Sequence, residues 1–228
     1  MNLTGDKSGL ACLCVLLWLA AYAMPGHSKQ TPELWQPWYH SALLSITYHK
    51  PSEQPLKIRV TGRWPGISAK SVINLLSDTE SVPLWVKHVS TVAILSRPAA
   101  NQTRVLTHFD LPWPLRKRDM VTHACLLQLS EESYILKIRS VTEYPAEPGV
   151  IRIQPVMVQW LLTEQDNAVY IDYQISADIQ GKAPQWFTDK VALRNTRASF
   201  NTLYALLQAR PDSKESWALT PGNTCPFE

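Results

Sequence analysis

The chain has 228 residues, 45% of them hydrophobic and 18% charged, which is enough apolar material for one globular domain and excludes intrinsic disorder as an overall description. Its 22 Lys and Arg against 19 Asp and Glu leave a net charge of +3, far from the concentrated basic field of a nucleic-acid binder, so no nucleic-acid partner is expected. Nine Trp and 17 Pro beside only 8 Gly describe large apolar surfaces with few loops of the phosphate-cradling kind, which counts against nucleotide-binding folds.

Residues 10–23 form an uncharged apolar run, short of the roughly 20 residues that a bilayer-spanning helix needs. The run ends in Ala21-Tyr22-Ala23, with small residues at the two positions a signal peptidase inspects. Residues 1–23 therefore read as a secretory signal cut before Met24, and the mature protein as exported, periplasmic or secreted. Lys7 is the only basic side chain ahead of the run, so an uncleaved N-terminal anchor is the alternative. Cys12 and Cys14 would leave with the signal, and only Cys125 and Cys225 would remain. In an oxidising compartment these two have a single pairing, which would tie the C-terminal tail to a strand, while two unpaired thiols are the other reading; both stay open at this level. Neither reading makes a metal site.

A polar linker, 24–34, with Pro25, Gly26 and Pro32, precedes Trp35 and Trp38, where the domain (35–210) is expected to begin. Leu56, Ile58 and Val60 alternate with Lys57, Arg59 and Thr61 as a half-buried strand does, and Gly62, Pro65 and Gly66 are expected to end it. Ser68 is placed to cap a helix over 69–76, and Pro83 restarts the backbone before Leu84 and Trp85. Strands are then predicted over 89–96, 103–110, 120–129, 133–141, 150–162 and 168–176, with links short enough for an antiparallel meander. Leu136 and Ile138 oppose Lys137 and Arg139, and Val169, Ile171, Tyr173 and Ile175 oppose Asp172 and Gln174, so one face of the sheet is wet. Gly181 and Pro184 introduce a long helix over 185–209 that stops before Pro211, and 211–228 reads as an irregular tail.

At 100° per residue, Lys190, Arg194, Arg197, Asn201 and Gln208 of this helix share a solvent-facing sector. Opposite them lie Thr188, Ala192, Asn195, Ser199 and Leu206, with Thr196 and Leu203 to one side, Val191, Ala198 and Thr202 to the other, and Leu193, Phe200 and Leu207 on a flank. A helix packed on a sheet only to make a core would place Leu, Ile or Phe at that centre, since each fully buried side chain contributes roughly 1.5–3 kcal/mol. The small and weakly polar stripe either lets the helix approach the sheet closely or leaves a cavity beside it.

This order of elements resembles a helix-grip fold, and two blocks narrow the resemblance to the START lipid-transfer family. Residues 110–119, DLPWPLRKRD, look like the stretch in which a strand of that family runs through a Pro-aromatic-Pro loop into an Arg-Asp pair. Residues 175–190, ISADIQGKAPQWFTDK, look like its final strand, Gly-containing turn and Pro-x-Trp entry into the last helix. Trp85 and Trp160 also fall where bacterial members often carry Trp. The likeness spans about 56–207, and Gln180-Gly181-Lys182 has one Gly where many relatives have two.

The resemblance implies an α+β architecture, a curved antiparallel β-sheet wrapped around the long C-terminal helix with shorter helices after the first strands, and a tunnel holding one lipid or sterol-like molecule. It makes Thr188, Ala192, Asn195, Thr196, Ser199, Leu203, Tyr173 and Ile171 the expected ligand-binding residues. The two prolines that flank Trp113 make Pro112, Trp113 and Pro114 a candidate gate loop, and the basic run beside it, Arg116, Lys117 and Arg118, is either a solvated loop or makes a transient contact with an anionic membrane surface while the tunnel opens. Asp119 is expected to be a structural partner for a nearby arginine or backbone group.

No G-x-S-x-G, H-E-x-x-H, P-loop or G-x-G-x-x-G pattern occurs, and the six histidines are scattered, although a pair such as His108 and His123 would be able to meet across strands. The expected function is thus binding of a hydrophobic small molecule, with its transfer as an extension of binding, without catalysis, metal or cofactor. The alternative is a small helix-grip enzyme acting on a hydrophobic substrate in the same cavity.

Overall fold

The alternation of Ile58 and Val60 continues past Gly62. In the computed structural model, which describes residues 34–209 except 114 and 116, and 224–227, the third strand buries Ile58, Val60 and Trp64 on one face. All of these residues lie in one compact unit, Glu33–Glu228. Two strands that the sequence reading did not place come first, β1 (Gln36–His40) and β2 (Leu44–His49), followed by β3 (Lys57–Pro65). A shift in register between Pro37 and Tyr39 breaks the period in β1, which is why no alternation marks it. Gly62 does not end β3. It lies inside the strand because the Leu43 carbonyl oxygen sits 2.8 Å from where a Cβ would stand, an approach that only glycine accommodates.

The chain then turns into α1 (Ala69–Ser77), whose first turn is held by the Ser71 amide donating to Ser68 Oγ at 3.0 Å. After the single turn of α2 (Val82–Trp85), with Pro83 in its first turn, come β4 (Val89–Ala99), β5 (Gln102–Phe109), β6 (Arg118–Ser130) and β7 (Ser133–Ser140). The strand expected over 150–162 is two strands, β8 (Ile151–Arg152) and β9 (Val156–Gln165). Pro155, with no N–H to give a ladder, lies between them. β10 (Ala168–Ala177) and α3 (Gln185–Ala209) complete the order.

The strands lie β1-β2-β3-β10-β9-β7-β6-β5-β4, every pair along this path antiparallel, and β8 pairs with β6 in parallel. The meander from β4 to β10 is thus closed on its far side by the N-terminal strands. α3 packs against the inner face of this curved sheet, where Trp64, Trp160, Tyr173 and Phe200 meet. Among the described residues no helix is long and apolar enough to cross a membrane.

Two internal ties fix the end of the sheet where α3 begins. The parallel register of Asp119 with Arg152 lets the guanidinium donate twice to the fully buried carboxylate, at 2.7 and 2.9 Å, so Asp119 is the structural partner of an arginine. That bond raises the Arg152 pKa. Removing one partner of such a buried pair typically costs about 3–5 kcal/mol. Arg118, 2% exposed, donates to the carbonyls of Ile179 and Gln180 at 2.8 and 3.0 Å and so holds the turn into α3. It is therefore no part of a basic surface run. Lys117 is exposed, and Arg116 lies outside the described residues. In the turn itself Gln180 and Gly181 both have positive φ, 54° and 94°.

A third tie is on the outer face. Thr122 and Ala124 point inward, so Cys125 points outward, where it is bonded to Cys225. The described tail residues extend this contact: the Phe227 ring meets His123 edge-on at 5.4 Å and lies under Arg139. The signal segment, 1–23, and most of the linker lie outside the described residues.

A candidate ligand cavity

Between α3 and the inner face of β4 to β10 lies a cavity of ≈ 410 Å³. Its helical wall is the small-residue stripe: Thr188, Ala192, Asn195, Thr196 and Ser199 all line it. Three of the four polar groups there are engaged locally. Thr188 Oγ1 donates to the Gln185 carbonyl at 2.8 Å, Thr196 Oγ1 donates to that of Ala192 at 2.9 Å, and Ser199 Oγ accepts from the Lys87 amide at 3.1 Å. The Asn195 carboxamide, by contrast, has no partner among the described residues.

The sheet wall follows from period-two alternation. Val105 on β5, Thr122 on β6, Ile138 on β7, Val158 on β9 and Ile175 on β10 each send their inward side chains to the cavity. It is bounded by aromatic packing: Trp160 stacks on Phe200 at 5.2 Å, and Tyr173 meets both rings, at 4.5 and 5.1 Å. Burial holds the Tyr173 phenol well above its ordinary pKa. Trp85, at the end of α2, also lines the space.

Two of the expected ligand residues stand elsewhere. Leu203 and Ile171, 0% and 3% exposed, lie in the packed core and not on the cavity wall. The reason is positional: both fall on the core side of the Trp160–Phe200 stack, where large side chains meet without a gap. Trp113 is 91% exposed and does not line the cavity, Pro112 is also exposed, and Pro114 lies outside the described residues. From this loop Leu111 and Leu115 line the space instead. The alternation of Thr103, Val105, Thr107 and Phe109 along β5 is the sequence signal for this second wall, which the expected set, confined to the helix and β10, lacks.

The interior is uncharged. Among the described lining residues the charged side chains are Lys87, Arg97 and Asp189; the first two are exposed, and Asp189 Oδ2 lies 2.8 Å from Lys50 Nζ. His108 and His123 do not meet, since the register sets them opposite Asp119 and Arg104. No group of three or more metal-ligating side chains occurs among the described residues.

The START domain family model matches residues 45–212. An uncharacterised protein of Pseudomonas aeruginosa is 25% identical over 137 residues, 59% of this chain and 66% of its own length. Human START domain-containing protein 10 is 22% identical over 181 residues, 78% of this chain and 60% of its own length. The chain thus spans 60% to 66% of the length of these curated relatives. The crystal structure of human STARD10 superposes with a TM-score of 0.70 at 21% identity, covering 78% of this chain and 74% of that one. The STAR-related lipid transfer protein from Xanthomonas axonopodis gives 0.69 at 20% identity, covering 76% and 98%. A Streptomyces aromatase/cyclase shares the fold more distantly, with a TM-score of 0.52 at 14% identity over 69% and 96%. With most of its length matched by the family model and a sheet that grips a long C-terminal helix, the chain belongs to the START domain family.

Proposed function

We propose that the protein binds one lipid-like hydrophobic molecule in this cavity and carries it, without chemistry of its own, in an exported compartment. The observation that carries the reading is the cavity itself: ≈ 410 Å³ walled by apolar side chains, with its charged groups at exposed positions or paired. That volume falls in the range of roughly 300–1,000 Å³ of small-molecule sites, and removing apolar ligand surface from water there contributes roughly 25 cal/mol per Å². Export is supported by the apolar run at 10–23 and by the bonded Cys125–Cys225 pair, which suits an oxidising compartment. For exchange with a membrane, the 110–117 loop offers an exposed Trp113 and Lys117 outside while Leu111 and Leu115 reach the cavity, so that contact outside and opening inside are coupled in one loop.

Native mass spectrometry of the mature protein, followed by solvent extraction, tests the reading. One lipid-like molecule per chain, recovered unchanged after incubation at 37 °C, is expected. Chemical conversion of the extracted molecule on incubation would make the protein an enzyme, and failure to take up any component of a lipid extract would mean that the cavity is not a binding site.

A further inference from the structure

The inward positions of β5 and β6 carry three threonines at places where valine would fill the same shape. Thr103, Thr107 and Thr122 are 6%, 5% and 2% exposed, and all three line the cavity. None of their hydroxyls has a hydrogen-bond partner among the described residues. The register pairs Thr103 with Ala124, Val105 with Thr122, and Thr107 with Met120. Thr122 is therefore the diagonal neighbour of both other threonines, at the roughly 7–8 Å that this geometry sets. Three hydroxyls thus gather on one patch of an otherwise apolar wall, and the Asn195 carboxamide, also unpartnered, lines the helical side.

A hydroxyl buried without a partner is costly compared with the methyl of valine, and both residues suit a strand equally, so strand formation does not account for three of them together. A ligand atom able to hydrogen-bond does. Its charge is restricted by what surrounds it: the cations that line the cavity, Lys87 and Arg97, are exposed, and Arg118, buried on the same face of β6, is committed to the Ile179 and Gln180 carbonyls instead of pairing with a carboxylate or phosphate. An unpaired charge buried there would be prohibitive. A hydroxyl or carbonyl oxygen on the ligand satisfies the threonines, which both donate and accept, and needs no counter-ion.

Resting on the cavity reading above, we infer that Thr103, Thr107 and Thr122 form a polar subsite that seats an uncharged oxygen group of the ligand inside the cavity. The subsite selects neutral amphiphiles, with a hydroxyl or carbonyl on an apolar body, over both plain hydrocarbons and acids.

Three fluorescent probes that share one apolar body test this on the full, disulfide-intact protein: pyrenyldecanol, decylpyrene and pyrenyldecanoate, titrated at neutral pH. Pyrenyldecanol is expected to bind more tightly than pyrenyldecanoate. In Thr122→Val its affinity should fall about three- to tenfold, the effect of one lost hydrogen bond, and further in the triple valine variant, while decylpyrene affinity stays level or rises. Thr122→Ser, which keeps the hydroxyl, should retain the preference, and it decides the matter should the triple variant not fold. Tighter binding of the acid than of the alcohol, or valine variants that change alcohol and hydrocarbon affinity alike, would overturn the subsite while leaving the cavity reading intact. Binding of none of the three probes would overturn the cavity reading and the subsite with it.

Discussion

The two halves of α3 obey the same helical periodicity and do opposite things. From Thr188 to Ser199 the side chains turned to the cavity are, apart from Val191, small or weakly polar, with Leu193 packed into the core on the flank, and the helix stands off the sheet with a cavity between them. From Phe200 to Leu207 the inward side chains are large: Phe200, Leu203 and Leu207 are 3%, 0% and 1% exposed and close against Trp64, Trp160 and Tyr173. One half holds the fold together and the other leaves room for a ligand. The comparison teaches that a cavity can be kept open by anchoring the same helix firmly at one end, because close packing there prevents the other end from collapsing onto the sheet.

The largest effect should come from the packed half. Leu203→Ala removes a fully buried side chain and should cost roughly 2–5 kcal/mol in urea unfolding. A loss below about 1 kcal/mol would mean that this half is not the anchor. Next is the bond beyond the helix: Cys225→Ser should cost about 2–4 kcal/mol, and a thiol-free intact mass from the native host would show the bond present in the exported protein. The open half should respond in the reverse sense. Ala192→Phe should keep stability within about 1 kcal/mol of the parent while abolishing uptake of a fluorescent lipid; if it instead destabilises by roughly 1–3 kcal/mol and still binds, the stripe packs directly on the sheet and the contrast between the halves disappears.

The smallest effect lies on the opposite face. Burial first, and then the positive charge of Arg104, lower the His123 pKa beneath its ordinary 6.5. The unfolded chain then takes up the proton at a higher pH than the folded one, so stability is full above about pH 6.5 and falls as the pH drops through the folded His123 pKa. Comparing urea midpoints of parent and His123→Gln from about pH 7.5 to about pH 5.5 should show that part of the slope missing in the variant. Probe affinity should not follow it, because His123 faces the tail and not the cavity. A matching pH dependence of binding would tie the two faces together.

Much of this was legible before any coordinates. The bounds of α3 follow from Pro184, the helical period and Pro211, and α1 begins where Ser68 predicts, because caps and breakers act within a turn or two. The stripe of Thr188, Ala192, Asn195, Thr196 and Ser199 was visible as a departure from ordinary core composition. Its two meanings, close approach or cavity, were not separable, since they differ in the distance to a sheet far away in sequence. Leu203 and Ile171 were expected on the ligand for the same reason: periodicity assigns a face, and says nothing of where along that face the packing closes. Arg118 read as surface charge because its partners, the carbonyls of Ile179 and Gln180, are backbone groups some sixty residues away that leave no trace in composition.

The sequence by itself determined what is local and additive: the fold class, the long helix with its solvent face, the motifs at 110–119 and 175–190, and the polar groups that α3 brings inward. Only the tertiary structure decided what depends on pairing between distant segments. It placed β1 and β2 beyond β10, passed β3 through Gly62 beneath the Leu43 carbonyl, joined Cys125 to Cys225, and set the Trp160–Phe200 stack as the boundary between core and cavity. It also gathered Thr103, Thr107 and Thr122 into one patch, because antiparallel register makes diagonal neighbours of residues 15 to 19 positions apart. The physical reason is that a side chain's direction follows from its own backbone, whereas the presence of an atom or of empty space opposite it follows from a different stretch of chain.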